Sequence, residues 1–155
     1  MTQVRIRKAT EADVPAIVAL LADDALGAGR ESPDDLSPYQ RAFAAVVADA
    51  NQVLVVAERD GRTVGTLQLT LLPGLARRGA TRGQIEAVRV AGDERGSGLG
   101  ATLMQWAIDE ARARGCQLVQ LTSDVSRTDA HRFYERLGFA PTHVGFKLNL
   151  ASATD

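Results

Sequence analysis

Three glycines at alternate positions, Gly96, Gly98 and Gly100, sit where a strand-like run hands over to a helix-like one. The stretch reads Val88-Arg89-Val90-Ala91-Gly92-Asp93-Glu94-Arg95-Gly96-Ser97-Gly98-Leu99-Gly100-Ala101. Glycine removes the side chain where backbone must approach a ligand closely. The first amides of a helix have no intrahelical acceptor and carry partial positive charge, so a phosphate group satisfies both conditions at once. Arg95 adds a cation. The same letters admit a plain tight turn. Gly96, Gly98 and Ala101 also fit the dinucleotide pattern G-x-G-x-x-G/A. A Walker loop does not fit, because no Gly-Lys-Ser/Thr follows.

The elements around the loop limit these readings. Val4 and Ile6 alternate with polar neighbours as a first strand. Thr10 and Asp13 suit a helix start, with Val14, Ile17, Val18 and Leu21 at helical spacing, and Pro15 places the start near Asp13. Residues 23 to 38 read as a long loop with an acidic bias, and Pro38 opens a second helix. Gln52 to Glu58 and Thr63 to Leu72 are strands joined by Asp60-Gly61, a hairpin signal. Pro73 to Arg82 is a polar, basic loop before a strand over Gln84 to Val90. A helix from Leu99 to Arg114 stops at Gly115. Leu118 to Leu121 forms a short strand, and Asp129 to Leu137 a short helix. Val144, Phe146, Leu148 and Leu150 alternate as a last strand. The expectation is one α+β domain over residues 1–155, with a mixed, mostly antiparallel sheet of six to seven strands flanked by about four helices. A Rossmann unit opens its domain with the glycine loop and needs a parallel sheet. Here antiparallel-looking strands come first and only about 55 residues follow, too few for a second mononucleotide half. Asp124 stands where a ribose-binding acid would, but the element order around it is wrong.

Composition narrows the partners. A formal net charge of -1 gives no basic excess for nucleic acid or an anionic membrane. One cysteine and two histidines exclude an intrachain disulfide and the usual four-ligand zinc sites. The N-terminus alternates rather than running apolar, so no signal peptide is read there. A cytoplasmic protein is expected.

Arg95-Gly96-Ser97-Gly98-Leu99-Gly100 is a full match to the Gln/Arg-x-x-Gly-x-Gly/Ala pattern of the GNAT superfamily of N-acetyltransferases, which the chain resembles. A second block, Ala130-His131-Arg132-Phe133-Tyr134-Glu135-Arg136-Leu137-Gly138-Phe139, resembles the family's tyrosine helix before a Gly-Phe turn. The element order matches from Val4 to Leu150. The resemblance implies acetyl-CoA as co-substrate, without a metal. It implies that Val88 and Val90 pair through their backbones with the pantetheine arm. It places the pyrophosphate at the loop from Arg95 through Ser97 and Leu99 to Ala101, on the amides of Gly96, Gly98, Gly100 and Ala101. Many family members carry Asn where Arg127 stands. Arg127 and its neighbour Ser126 are the candidate replacements for that contact. A homodimer through the last strands is compatible with the resemblance.

Acetyl transfer to an amine needs a base for the amine, a polarised carbonyl and a proton for the departing thiolate. A phenol, near pKa 10, and a thiol, near 8.5, are close enough to exchange that proton. The resemblance gives Tyr134 this general-acid role, and the other reading is an aromatic packed beside Phe133. Glu86, two residues before Val88, is the candidate base, or else a strand carboxylate paired with Arg89 or another arginine. The Val88 N–H can polarise the carbonyl. Cys116 reads as an apolar residue, His131 as structural and His143 as surface. The acceptor is an amine of a small molecule or a protein, chosen by the early loop and Pro73 to Arg82. A non-catalytic acyl-CoA-sensing module of the same fold is the alternative.

Overall fold

The computed structural model describes residues 2–151. The chain falls into two compact units, one ending at Leu121 and one beginning at Thr122. The first holds β1 (Arg5–Lys8), α1 (Val14–Ala22), α2 (Ser37–Ala48), β2 (Gln52–Arg59), β3 (Arg62–Leu72), α3 (Ala76–Gly79), β4 (Arg82–Val90), α4 (Leu99–Ala113) and β5 (Leu118–Gln120). The second holds α5 (Thr128–Arg136).

The strands form one sheet in the order β1-β2-β3-β4-β5. Its first three pairings are antiparallel and β4–β5 is parallel. The mixed, mostly antiparallel sheet is as expected, but among the described residues it has five strands and not six to seven. The missing strand is the last one. No strand forms between Gly138 and Leu150, and Val144, Phe146, Leu148 and Leu150 are exposed. Alternation specifies two faces, but a strand also needs a neighbouring edge to pair with. Five helices stand in place of about four. The extra one is the single turn Ala76–Gly79, where Arg77 (φ 58°) and Arg78 (φ 63°) are left-handed.

The hairpin between β2 and β3 turns at Asp60 and Gly61, both at positive φ, as a two-residue tip with Arg59 opposite Arg62 requires. Alternation divides the sheet into two faces. Val53, Val55, Leu67, Leu69 and Ile85 are buried on the side where α4 packs, with Leu103, Met104, Ala107 and Ala111 facing them from the helix. Burying Leu103 and Met104 contributes roughly 2–3 kcal/mol each. The opposite face carries α1 against β3 and β4, and α2 against β2. Between them lies an apolar cavity of about 120 Å³, lined by Ile17, Val18, Phe43, Val46, Leu54 and Ala87 among others.

An ion cluster fastens the start of α1 to the sheet. Arg7 donates to both oxygens of Asp13, at 2.7 and 2.9 Å, and to Glu58 at 3.1 Å. Asp13 also accepts the Thr10 N–H at 2.7 Å, the reciprocal contact expected of a helix start. Asp13 is buried, and the hydrogen bonds from Arg7 hold its carboxyl down at about 2. A depressed carboxyl stabilises the fold fully above its unfolded pKa, and that stability disappears as pH falls from about 4 towards 2. Asp13→Asn is therefore expected to remove about 2 kcal/mol of pH-dependent stability across that window. Urea unfolding at pH 7 and pH 2.5 measures it. Equal pH sensitivity in wild type and variant contradicts this assignment.

Candidate active site

The geometry that matters starts inside β4. Opposite β3, Thr66 pairs with Arg89 and Gln68 with Glu86, so Ala87 and Val88 together face the single residue Leu67. This is a β-bulge, and Ala87 takes φ 54° to make it. On the other side, β5 pairs only with Arg82, Gly83 and Gln84. Among the described residues no strand pairs with β4 from Ile85 to Val90 on that side, which leaves the edge beside Val88 and Val90 able to pair with an extended ligand.

The glycine loop follows directly. A 3-10 turn, Gly92–Glu94, leads into Arg95, and α4 begins at Leu99. Gly96 (φ 83°) and Gly98 (φ 87°) are left-handed, which a side chain disfavours. A Cβ on either would meet no protein atom within 4 Å, so the space before them is open. The first helical bond runs from the Thr102 N–H to the Gly98 carbonyl at 3.1 Å. The amides of Leu99, Gly100 and Ala101 thus lack an intrahelical acceptor. The Ser97 hydroxyl donates to the Glu94 carbonyl at 2.6 Å and closes the turn. Exposed Arg95 donates to the Asp23 carbonyl at 3.1 Å.

Two ion pairs moor this loop to the hairpin tip. Arg59 reaches Glu94 at 2.9 Å, both side chains mostly buried. Arg62 holds both oxygens of Asp93, at 2.8 and 2.9 Å. Arg59, Arg62, Asp93 and Glu94 were not singled out from the sequence; two arginines flanking one turn and two acids in a loop thirty residues on carry no signal of who pairs with whom.

Glu86 is exposed on β4, next to the bulge. Arg89 is not its partner. The Arg89 Nε lies 2.8 Å from Asp24 Oδ2, a charge contact off the line of a hydrogen bond. Asp24 also accepts the Gly27 N–H at 2.5 Å, which ties the early loop down to β4. Among the described residues no cation lies within ion-pair distance of Glu86.

The second unit positions Tyr134 by itself. Tyr134 is half-buried on α5, edge-on to Phe133 (ring centroids 5.3 Å apart) and to Phe139 (6.1 Å). The turn before α5 is organised by Asp124, which accepts from the Ser126 hydroxyl at 2.6 Å and from its N–H at 2.9 Å. These bonds hold the Asp124 carboxyl below its ordinary range. Ser126 is therefore engaged within its own turn, and Arg127 is exposed at the cap of α5. His131 places Nε2 2.8 Å from the Asp124 carbonyl oxygen, a structural contact. Cys116 is half-buried, and burial pushes its thiol up, away from reactivity.

The fit to a coenzyme A thioester rests on these features of the first unit: an open strand edge, two glycines with free space before them, and three unpaired helix amides. Among the described residues no three His, Cys, Asp or Glu side chains cluster as a metal site would. No described helix is long and apolar enough to cross a membrane. A largely antiparallel sheet with β4 near its far edge excludes the Rossmann reading of the loop.

Known proteins agree with this geometry. The pattern of the family described as "Acetyltransferase (GNAT) family" matches residues 14–139. The aminoalkylphosphonate N-acetyltransferase of Salmonella typhimurium is 32% identical over 146 residues, covering 94% of this chain and 91% of that one. An L-methionine sulfoximine/L-methionine sulfone acetyltransferase of Pseudomonas paraeruginosa is 32% identical over 139 residues, covering 86% and 78%. A crystal structure from Bacillus halodurans C-125, described as a transcriptional regulator, superposes with a TM-score of 0.92 at 45% identity, covering 96% and 100%. The chain belongs to the GNAT family and is an acetyl-CoA-dependent acetyltransferase.

Proposed function

We propose that this protein moves the acetyl group of acetyl-CoA to the amine of a small molecule, within one N-acetyltransferase domain. The observation that carries the reading is the continuous run of open strand edge, glycine turn and unpaired helix amides from Val88 to Ala101. Two relatives, covered to 91% and 78% of their own length, are named for small molecules, an aminoalkylphosphonate and L-methionine sulfoximine or sulfone, which favours a small acceptor over a protein.

The bound thioester supplies an activated acetyl carbon and a thiolate leaving group. The chain supplies the rest. Backbone groups of Val88 and Val90 align the pantetheine arm as an added strand, and the loop from Arg95 through Ser97 to Ala101 holds the pyrophosphate. Arg127 adds a cation at the start of α5, and Ser126 keeps that turn in shape. Glu86, unpaired and exposed, takes a proton from the acceptor ammonium. The Val88 N–H polarises the thioester carbonyl. The amine nitrogen bonds to the acetyl carbon, the carbon–sulfur bond breaks, and the Tyr134 phenol returns a proton to sulfur. The second nitrogen proton, lost as the amide forms, restores the Tyr134 phenol, and the proton on Glu86 passes to solvent, so one ammonium and one thioester give one amide, one thiol and one proton.

Calorimetric titration with acetyl-CoA, CoA, NAD and ATP tests the cofactor assignment. Binding of acetyl-CoA and CoA alone is expected. Preference for NAD or ATP overturns the reading of the loop. Coenzyme binding without acetylation of any amine leaves a sensing module instead of a catalyst.

A further inference from the structure

Four arginines among the described residues are half-buried: Arg7, Arg59, Arg82 and Arg89. Three of them have a carboxylate oxygen within 2.7 to 2.9 Å. Arg82 has none. Its side-chain hydrogen bond is a long one, 3.5 Å to the amide oxygen of Gln120. Arg82 thus keeps its charge without a counter-charge among the described residues, and an anion is the partner its forked donors fit best.

A second cation, on the exposed turn before β4, stands beside Arg82. Arg82 borders a cavity of about 250 Å³ whose lining is Gly74, Leu75, Ala76, Arg77, Ala80 and Arg82. Both charged side chains in that lining are arginines. Arg77 is held at φ 58° in the left-handed turn α3, a conformation that costs a non-glycine residue about 1–2 kcal/mol. It has no ion-pair partner among the described residues.

Arg82 itself lies in line with Glu86. Arg82, Gln84 and Glu86 alternate along β4, so their side chains share one face of the sheet. Four strand residues set the Arg82 and Glu86 Cα atoms about 13 Å apart, a span that a short acceptor and two long side chains can bridge. The floor between them is neutral and hydrogen-bonding. Gln120 donates to Gln84 at 2.8 Å, and Thr70 and Gln68 both donate to Gln52, at 2.9 and 2.8 Å. One end of this lane is anionic and the other cationic, the complement of a short molecule with an ammonium at one end and an anion at the other.

We infer that the cavity lined by Arg77 and Arg82 receives an anionic group, a carboxylate or a phosphonate, on the acceptor whose amine reaches Glu86. This rests on the amine-acetyltransferase reading above and makes Arg82 a specificity-determining residue.

Initial rates with acetyl-CoA and three acceptors of similar length test it: 2-aminoethylphosphonate, β-alanine and propylamine. The wild type is expected to favour one or both anionic amines over propylamine by at least about tenfold in kcat/KM, and which one leads identifies the anion. Arg82→Gln is expected to cut kcat/KM for the anionic acceptors about 10- to 100-fold more than for propylamine, chiefly through KM. Arg82→Lys restores part of that preference, because charge returns without the fork. Acetyl-CoA affinity, read by calorimetry, reports that each variant is folded. An anionic-to-neutral ratio that is the same in wild type and Arg82→Gln overturns the inference. Turnover of propylamine alone overturns it and leaves the acetyltransferase reading standing. No turnover of any of the three by folded, coenzyme-binding wild type overturns the inference, while a broader amine panel, positive or blank, decides the acetyltransferase reading separately.

Discussion

Tyr134→Phe is expected to lower kcat by about 10²- to 10⁴-fold, the range typical for loss of a positioned proton donor, with little change in the acetyl-CoA dissociation constant. The ring itself is a packing element, set edge-on against Phe133 and Phe139, and phenylalanine keeps that packing. The substitution therefore separates the hydroxyl from the ring. Stopped assays over pH 6 to 10, with the thermal midpoint as a control, check the outcome. If the phenol protonates the thiolate, the loss is in kcat, and thioester donors with a less basic leaving thiolate recover part of it. A wild-type rate at every pH removes Tyr134 from the chemistry and leaves it as a structural aromatic.

Gly98→Val is expected to weaken acetyl-CoA binding roughly 100-fold. Gly98 caps α4 at φ 87°, with nothing of the protein within 4 Å of where its Cβ would be. A branched side chain there strains the left-handed turn by about 1–2 kcal/mol and fills the space in front of the unpaired amides of Leu99, Gly100 and Ala101. Both effects act on the coenzyme, but only the first acts on the free protein. The thermal midpoint of the unliganded variant thus falls by a few degrees, while stabilisation by added acetyl-CoA is lost. Full coenzyme stabilisation in Gly98→Val means that the pyrophosphate is held elsewhere.

Much of the first unit was legible because its signals are local. Asp60-Gly61 demands positive φ at two residues, and only a hairpin tip uses that pair so readily. The apolar spacing of α4 and the glycines before it announce a strand–turn–helix wherever they occur. Thr10 and Asp13 mark a helix start by a bond three residues long. What stayed hidden depends on partners distant in the chain. The sequence leaves open whether Glu86 pairs with Arg89 or another arginine, and only the fold brings Asp24 to Arg89. Arg77 and Arg78 carry no glycine-like signal for left-handed backbone, so the turn α3 reads as loop. Arg82 differs from Arg7 and Arg59 only in what the sheet places beside it. The alternation from Val144 to Leu150 marks two faces but names no neighbouring edge, and the strand expected there does not form.

The mooring of the glycine loop to the hairpin gives that tip a use in protein engineering. Exposed two-residue turns are favoured insertion points because foreign sequence there disturbs little. In this chain the residues flanking the tip, Arg59 and Arg62, grip Glu94 and Asp93 of the coenzyme loop. A receptor domain spliced between Asp60 and Gly61 would pull on both grips whenever its own ligand changed the spacing of its ends. The hairpin tip is thus a natural splice point for a biosensor, with acetyl-CoA affinity as the output.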